Sequence, residues 1–208
     1  LWRHLRDGYI SKADLILTEC DLFRKKARFK DAKTVYWCAK EPERIFSPSI
    51  RSDVVELAYL GSINNILDIE RTARFVRDVA HLIPVCVHVI GDGERKDAFL
   101  CALRSAGARV IDYGAVYDDA KKAQIFSHCR YGINILRKGV LVGLSMKSID
   151  YLKAGLPLLN NLGGDTAQFV RKAGVGINLS EAASRQVATE SAANVCCARK
   201  RAFALFET

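Results

Sequence analysis

The chain has 208 residues, half of them hydrophobic, and its 32 Lys and Arg against 23 Asp and Glu leave a formal charge of +9. This composition excludes a disordered chain, and the length suffices for one full α/β domain with a buried core plus part of another. No apolar run approaches the roughly 20 residues of a membrane span, and the start lacks the basic, apolar and small-residue order of a signal peptide, so a cytoplasmic location is expected.

The positive balance leaves three kinds of partner open: nucleic acid, an anionic membrane surface, or a phosphorylated small molecule. Nucleic acid is not expected, because it needs a basic groove with stacking aromatics and the aromatics here fall mostly in strands. The densest basic run, Arg24, Lys25, Lys26, Arg28 and Lys30, reads best as a solvated helix face, as does the smaller cluster Arg199, Lys200 and Arg201. Seven cysteines, at 20, 38, 86, 101, 129, 196 and 197, are odd in number and form no C-x-x-C. Reduced thiols are expected, with neither a disulfide frame nor a metal site.

In chain order, Ala13 to Thr18 and Thr34 to Cys38 read as two strands around the basic helix. Residues 1 to 40 are too few to bury a core, and with a start at Leu1 rather than Met they are expected to be the tail of a preceding domain. Residues 41 to 53, with Pro42 and Pro48, form the linker. From 54 to 180 short apolar runs alternate with amphipathic stretches, the pattern of βα units and a parallel sheet. Six strands are predicted: Val54 to Leu60, Val85 to Ile90, Arg109 to Tyr113, Tyr131 to Leu136, Leu156 to Asn160, and Val175 to Asn178. Ile69, Ala73, Val76, Ala80 and Ile83 recur at helical spacing, as do Phe99, Ala102, Leu103 and Ala106. Shorter helices are predicted around Asp119 to Cys129 and Met146 to Ala154. Residues 181 to 208 read as one long helical region, with Ala202, Leu205 and Phe206 returning toward the preceding domain. The fold class is thus α/β, a doubly wound, Rossmann-like parallel sheet of six strands with helices on both faces.

In such a sheet ligands bind beyond the carboxyl ends of the strands. Those ends carry Gly61 and Ser62, then Gly91, Asp92 and Gly93, then Tyr113 and Gly114, then Arg137 and Lys138, then Asn160, Asn161, Gly163 and Gly164. Gly91-Asp92-Gly93-Glu94 resembles half a dinucleotide fingerprint, but Lys96 stands where its third glycine belongs and the motif follows the second strand. A tight turn before a helix explains it as well. The most informative stretch runs from Val142 to Pro157. Ser145 is a plausible N-cap, Gly155 a C′ stop, and Pro157 bars continuation. Free amides around Ser145, Met146, Lys147 and Ser148 suit an anion, Lys147 adds a full charge, and Asp150, one turn on, can accept two hydroxyls of a ribose. The bland alternative is an exposed Lys147/Asp150 ion pair of little consequence.

The segment from Asp150 to Pro157, together with Tyr59-Leu60-Gly61-Ser62, Ile90 to Glu94 and Tyr113-Gly114-Ala115-Val116-Tyr117, resembles the donor-binding, C-terminal domain of retaining GT-B glycosyltransferases. Asp150 takes the place of the ribose-binding Glu. The resemblance implies a nucleotide-sugar donor, uridine-linked by preference, and a donor site at Gly61, Ser62, Gly91, Gly93, Tyr113, Gly114, Val116, Ser145, Met146, Lys147 and Asp150. It places the base against the backbone of Tyr113 to Val116. It also implies a missing N-terminal domain, a saccharide or lipid-linked acceptor in surface polysaccharide synthesis, a peripheral contact with the inner face of a membrane, and no cofactor or metal. Val142 stands where the family has a carboxylate facing the donor sugar. Ser62 and Asn64-Asn65-Ile66 replace the Arg and Lys that grip the diphosphate. No catalytic residue is therefore assigned, and this chain alone is expected to be inactive. Two other classes stay open, a non-catalytic nucleotide-sugar module and a dinucleotide-dependent oxidoreductase.

Overall fold

A computed structural model describes residues 2–10, 12–27, 31–40 and 47–207. The amino-terminal part holds α1 (Trp2–Ile10), β1 (Leu17–Thr18), α2 (Asp21–Ala27) and β2 (Lys33–Thr34), with β1 and β2 paired in parallel as a small sheet of their own. Helix α1 was not expected from sequence. The end of the basic run, 28–30, and part of the expected linker, 41–46, lie outside the described residues.

The main sheet contains β3 (Val55–Leu60), β4 (Val85–Ile90), β5 (Arg109–Asp112), β6 (Tyr131–Asn134), β7 (Leu158–Asn160) and β8 (Gly176–Asn178). Its order is β5-β4-β3-β6-β7-β8 and every pairing is parallel. Counted from β3 this is the doubly wound order 3-2-1-4-5-6, with its switch point between β3 and β6. The connecting helices are α3 (Ile69–Ala80), α4 (Lys96–Ser105), α5 (Asp119–Phe126), α6 (Met146–Lys153) and α7 (Gly164–Ala173), followed by α8 (Ala183–Thr189) and α9 (Ala192–Phe206).

Two cores flank the sheet. On one face Leu57, Tyr59, Val87 and Val89 pack against Val76 and Val79 of α3, Phe99 and Leu103 of α4, and Val187 of α8. On the other Ala58, Leu60, Ile90 and Leu158 meet Phe126 of α5, Tyr151 and Leu152 of α6, Val170 of α7 and Ala202 of α9. Alternate side chains of β3 and β4 point to opposite faces and all are buried, which explains their near-continuous apolar character.

Three expectations need correction. The fifth strand starts at Leu158, not Leu156, because the Leu156 N–H is spent on Tyr151 O in the stop of α6 and Pro157 has no N–H. The carboxyl-terminal region is two helices, since Ser191 is extended and caps α9 by accepting from Asn194 N–H, which breaks the run after Thr189. Arg199 is not a surface cation. It is 4% exposed, its Nη1 donating to the carbonyls of Phe126 and Cys129 and its Nη2 to that of Ala154, so it caps the ends of α5 and α6 together. All seven cysteines are unpaired, as expected. No helix among the described residues is long and apolar enough to cross a membrane.

Candidate functional site

At the switch point β3 and β6 pair only through Leu57 with Tyr131 and Ala58 with Gly132. Beyond that the strands part, and the Leu60 N–H donates instead to the Tyr151 hydroxyl at 2.7 Å. The ring of Tyr151 fits between them because Gly132 has no side chain: a Cβ there would stand 2.6 Å from the ring. Tyr151 thus holds the crevice open and fixes α6 beneath it.

Three strand ends are laced together. Gly61 N–H donates to Ile90 O at 2.9 Å, and Gly91 N–H to Gly114 O at 2.8 Å. A Cβ on Gly91 would meet Gly61 O at 2.0 Å and one on Gly93 would meet Ile63 O at 2.5 Å, so these two glycines answer backbone packing. Gly61 and Gly114, at φ of 119° and 65°, have open space where a Cβ would stand, which is where a ligand can approach the chain. Ser62 beside them is exposed, and its carbonyl accepts from the Tyr59 hydroxyl at 2.7 Å.

Helix α6 enters the crevice with a defined start and stop. Ser145 is extended and its Oγ accepts from Ser148 N–H, whereas the amides of Met146 and Lys147 find no acceptor among the described residues. At the other end Gly155, at φ 61°, donates to Leu152 O while Leu156 N–H donates to Tyr151 O, the paired bonds of a Schellman stop. A row of asparagines at the carboxyl ends of β6, β7 and β8 holds the start of the helix. Asn134 Nδ2 donates to Ser148 Oγ and to Asn160 Oδ1, both at 3.1 Å, and Asn160 Nδ2 donates to Asn178 Oδ1 at 2.8 Å. The first two bonds are fully buried, so the register of α6 is set by a satisfied polar network.

Lys147 projects its Nζ over the face of the Tyr59 ring, 5.0 Å from its centre. No carboxylate is within ion-pair distance of it among the described residues, and burial alone pushes its pKa down to about 8. Asp150 does not pair with it. The Asp150 carboxyl is held above its ordinary range chiefly by burial, with Lys122 and Lys153 opposing and Asp119 adding. Met146 is exposed at the first helical position.

Tyr113 turns its hydroxyl away from the strand ends and bonds His88 Nδ1 at 3.0 Å. What it leaves at the crevice is backbone, as it does at Gly114 and the half-buried Val116. On the other side of the crevice Arg95, Arg137, Lys138 and Asp68 line a cleft of about 320 Å³. Arg95 Nη1 is buried there without a hydrogen bond. The site's sequence-predicted residues therefore group along one edge: Gly61, Ser62, Gly114 and Val116 as backbone, Ser145, Met146 and Lys147 as a helix start. Sequence reasoning missed Tyr59, Arg95, Asn134, Tyr151 and Asn178. The signal was legible in part: Asn160 and Asn178 close their predicted strands, whereas Asn134 fell inside the predicted Tyr131 to Leu136 and ends β6 because the strand stops two residues earlier.

No family model matches the chain, and no curated protein sequence matches it. Solved structures do match its fold. The lipopolysaccharide outer core galactosyltransferase WaaB, in its apo form, aligns at 17% identity with a TM-score of 0.67, covering 95% of this chain and 60% of that one. Anabaena Alr3699/HepE in complex with UDP and glucose aligns at 13% identity with a TM-score of 0.69, covering 94% and 59%. WaaG, a glycosyltransferase involved in lipopolysaccharide biosynthesis, aligns at 13% identity with a TM-score of 0.58, covering 100% and 76%. The fold is that of GT-B glycosyltransferases in their Rossmann-like C-terminal domain, and the chain spans about 60% of the length of WaaB and HepE.

Proposed function

We propose that this chain is the donor-binding part of a glycosyltransferase that takes a nucleoside diphosphate sugar, uridine-linked by preference. The observation that carries the reading is Lys147. An ammonium without a carboxylate partner, at a helix start with two free amides, in the switch-point crevice of a doubly wound sheet, is arranged for a diphosphate. Gly61 and Gly114 leave room for the ligand against the backbone, and Asp150 accepts ribose hydroxyls one turn along α6. During transfer the leaving diphosphate gains charge, and preorganised amides with Lys147 stabilise that charge more than they stabilise the bound donor. Arg137 and Lys138 border the same edge. That HepE was solved with UDP and glucose supports the uridine preference.

The acceptor, a saccharide or a lipid-linked one in surface polysaccharide synthesis, would dock on a preceding domain, at the cytoplasmic side of a membrane. Residues before β3 supply no such domain, so the chain by itself binds donor and transfers nothing. Val142 in place of a donor-facing carboxylate favours one second reading, a nucleotide-sugar module without turnover. Thermal-shift screening of nucleotides tests the proposal: UDP compounds give the largest stabilisation, and equal stabilisation by NAD, or none by any nucleotide, refutes it. A protein extended upstream that binds UDP yet never transfers decides for the module.

A further inference from the structure

Far from the donor edge, near the amino ends of β3 and β4, three metal-ligating side chains converge. The register pairs Glu56 with Cys86 across the two strands, and His88 lies two residues on from Cys86, so all three point to the same face of the sheet. Their donor atoms lie within 4.8 Å of one another, and all three residues are buried. Cys86 Sγ is 3.8 Å from His88 Nε2, and Glu56 Oε1 is 3.8 Å from the same nitrogen.

Within the cluster itself the contacts are too long to be good hydrogen bonds. Glu56 is 7% exposed, and the His88 Nε2 that faces its Oε1, at 3.8 Å, is beyond hydrogen-bond range. The contact of the thiol with His88 is at the weak limit for sulfur, and its other neighbour is the Arg109 side chain on the paired strand β5, whose positive charge favours the thiolate. His88 Nδ1 is already engaged by the Tyr113 hydroxyl at 3.0 Å, which orients the ring and directs Nε2 at the thiol and the carboxylate. Outer hydrogen bonds of this kind are the usual support of a metal-bound imidazole.

We propose that Glu56, Cys86 and His88 form a zinc-type site that staples β3 to β4, with water completing the tetrahedron. Thiolate, imidazole and carboxylate together suit Zn²⁺ among the divalent ions, and a tetrahedral ion needs its ligand atoms roughly 3.3 to 3.7 Å apart, a contraction of a few tenths of an ångström for the two 3.8 Å pairs. On binding, the Cys86 thiol loses its proton to solvent and a sulfur–metal bond forms. The expectation of no metal rested on linear spacing, which cannot register ligands held on two paired strands. The site stands apart from the donor crevice and does not depend on the nucleotide reading.

Cobalt titration of the chelator-stripped chain tests this. One equivalent should bind, giving the thiolate charge-transfer band in the near ultraviolet and the strong visible bands of tetrahedral cobalt, both removed by zinc. Cys86→Ser, close to isosteric, should abolish the charge-transfer band. Glu56→Gln and His88→Gln should each weaken binding tenfold or more, while Cys101→Ser and Cys197→Ser, at exposed thiols, change nothing. Zinc should raise the melting temperature of the parent chain and not that of Cys86→Ser. Failure of the parent chain to bind either ion, or a charge-transfer band that survives Cys86→Ser and disappears in an exposed-cysteine variant, overturns the proposal.

Discussion

The Lys147 ammonium lies over the Tyr59 ring rather than against the Asp150 carboxylate, although Asp150 is one helical turn away and free to pair by spacing alone. A cation on an aromatic face gains about 0.5 to 2 kcal/mol, less than burial of an uncompensated charge costs. The residue is therefore held under tension that an incoming anion relieves. That distinguishes it from an exposed i, i+3 pair, which would have nothing to gain.

Separation of the two residues follows directly. Asp150→Ala should weaken a uridine mono- and diphosphate alike, by about 1 to 3 kcal/mol for lost charge-assisted hydrogen bonds. Lys147→Ala should cost much for the diphosphate, little for the monophosphate and nothing for the nucleoside, with a salt dependence absent from Asp150→Ala. Isothermal titration of the three ligands at two ionic strengths measures this; unchanged diphosphate affinity in Lys147→Ala would end the phosphate assignment.

The depressed pKa of Lys147 gives two pH effects of opposite use. A diphosphate binds the protonated form, so UDP affinity should fall as pH rises through about 8, and Lys147→Arg should flatten that profile. For stability the sign reverses. Between about 8 and the ordinary 10.5 the unfolded chain holds the extra proton, so stability should rise with pH across that window. At neutral pH the charged side chain is a liability to the empty fold. Lys147→Met should stabilise the ligand-free chain, by about 1 to 2 kcal/mol after allowing for its partial exposure, while losing UDP. Loss of stability in that variant would show the residue to be a packing element.

The parallel sheet was legible because β3 and β4 are buried on both faces and read as continuous apolar runs, and α3 because Ile69, Ala73, Val76 and Ala80 keep helical spacing, although Ile83 of the same stripe falls past the helix end and the buried Val79 was not read. Helix α6 was legible for a different reason: Ser145, Gly155 and Pro157 are chemical punctuation, and each meets the backbone as expected. Long-range partners were not. Nothing local marks Arg199 as buried, since its acceptors Phe126, Cys129 and Ala154 are 73, 70 and 45 residues away. The role of Tyr151 depends on Gly132 and on the divergence of β3 from β6, which no single segment contains.

Arg199 should prove a stability residue. Its guanidinium satisfies three carbonyls at the ends of two helices, and removal leaves those acceptors buried. Arg199→Met should lower unfolding stability by about 2 to 4 kcal/mol with UDP affinity kept in the folded fraction. Arg199→Lys should recover little, because one ammonium cannot span acceptors that two guanidinium nitrogens divide between them. Urea denaturation reads both, and a change within 0.5 kcal/mol, about what neutral surface substitutions produce, would contradict the capping role.

Asp165 should control the docking of the amino-terminal segment. Its carboxylate, 4% exposed, accepts from the amides of Asp21 and Leu22 at 2.9 Å each, which places a negative charge on the start of α2, and from the Tyr36 hydroxyl at 2.7 Å. Cys20 packs so closely on Gly143 that a Cβ there would stand 2.2 Å from its sulfur, and Tyr36 meets Phe169 edge to face. Asp165→Asn keeps the shape but turns one acceptor into a donor that faces other donors, a cost of about 1 to 3 kcal/mol. The loss should be local, since few other polar contacts among the described residues tie this segment to the main sheet. Hydrogen exchange should then quicken at residues 17–26 and 33–36 while β3, β4 and β6 keep their protection. Gly143→Ala should produce the same pattern from the opposite wall of the contact. Uniform quickening across the sheet in both variants would mean that the segment belongs to the cooperative core and is not a separately docked unit.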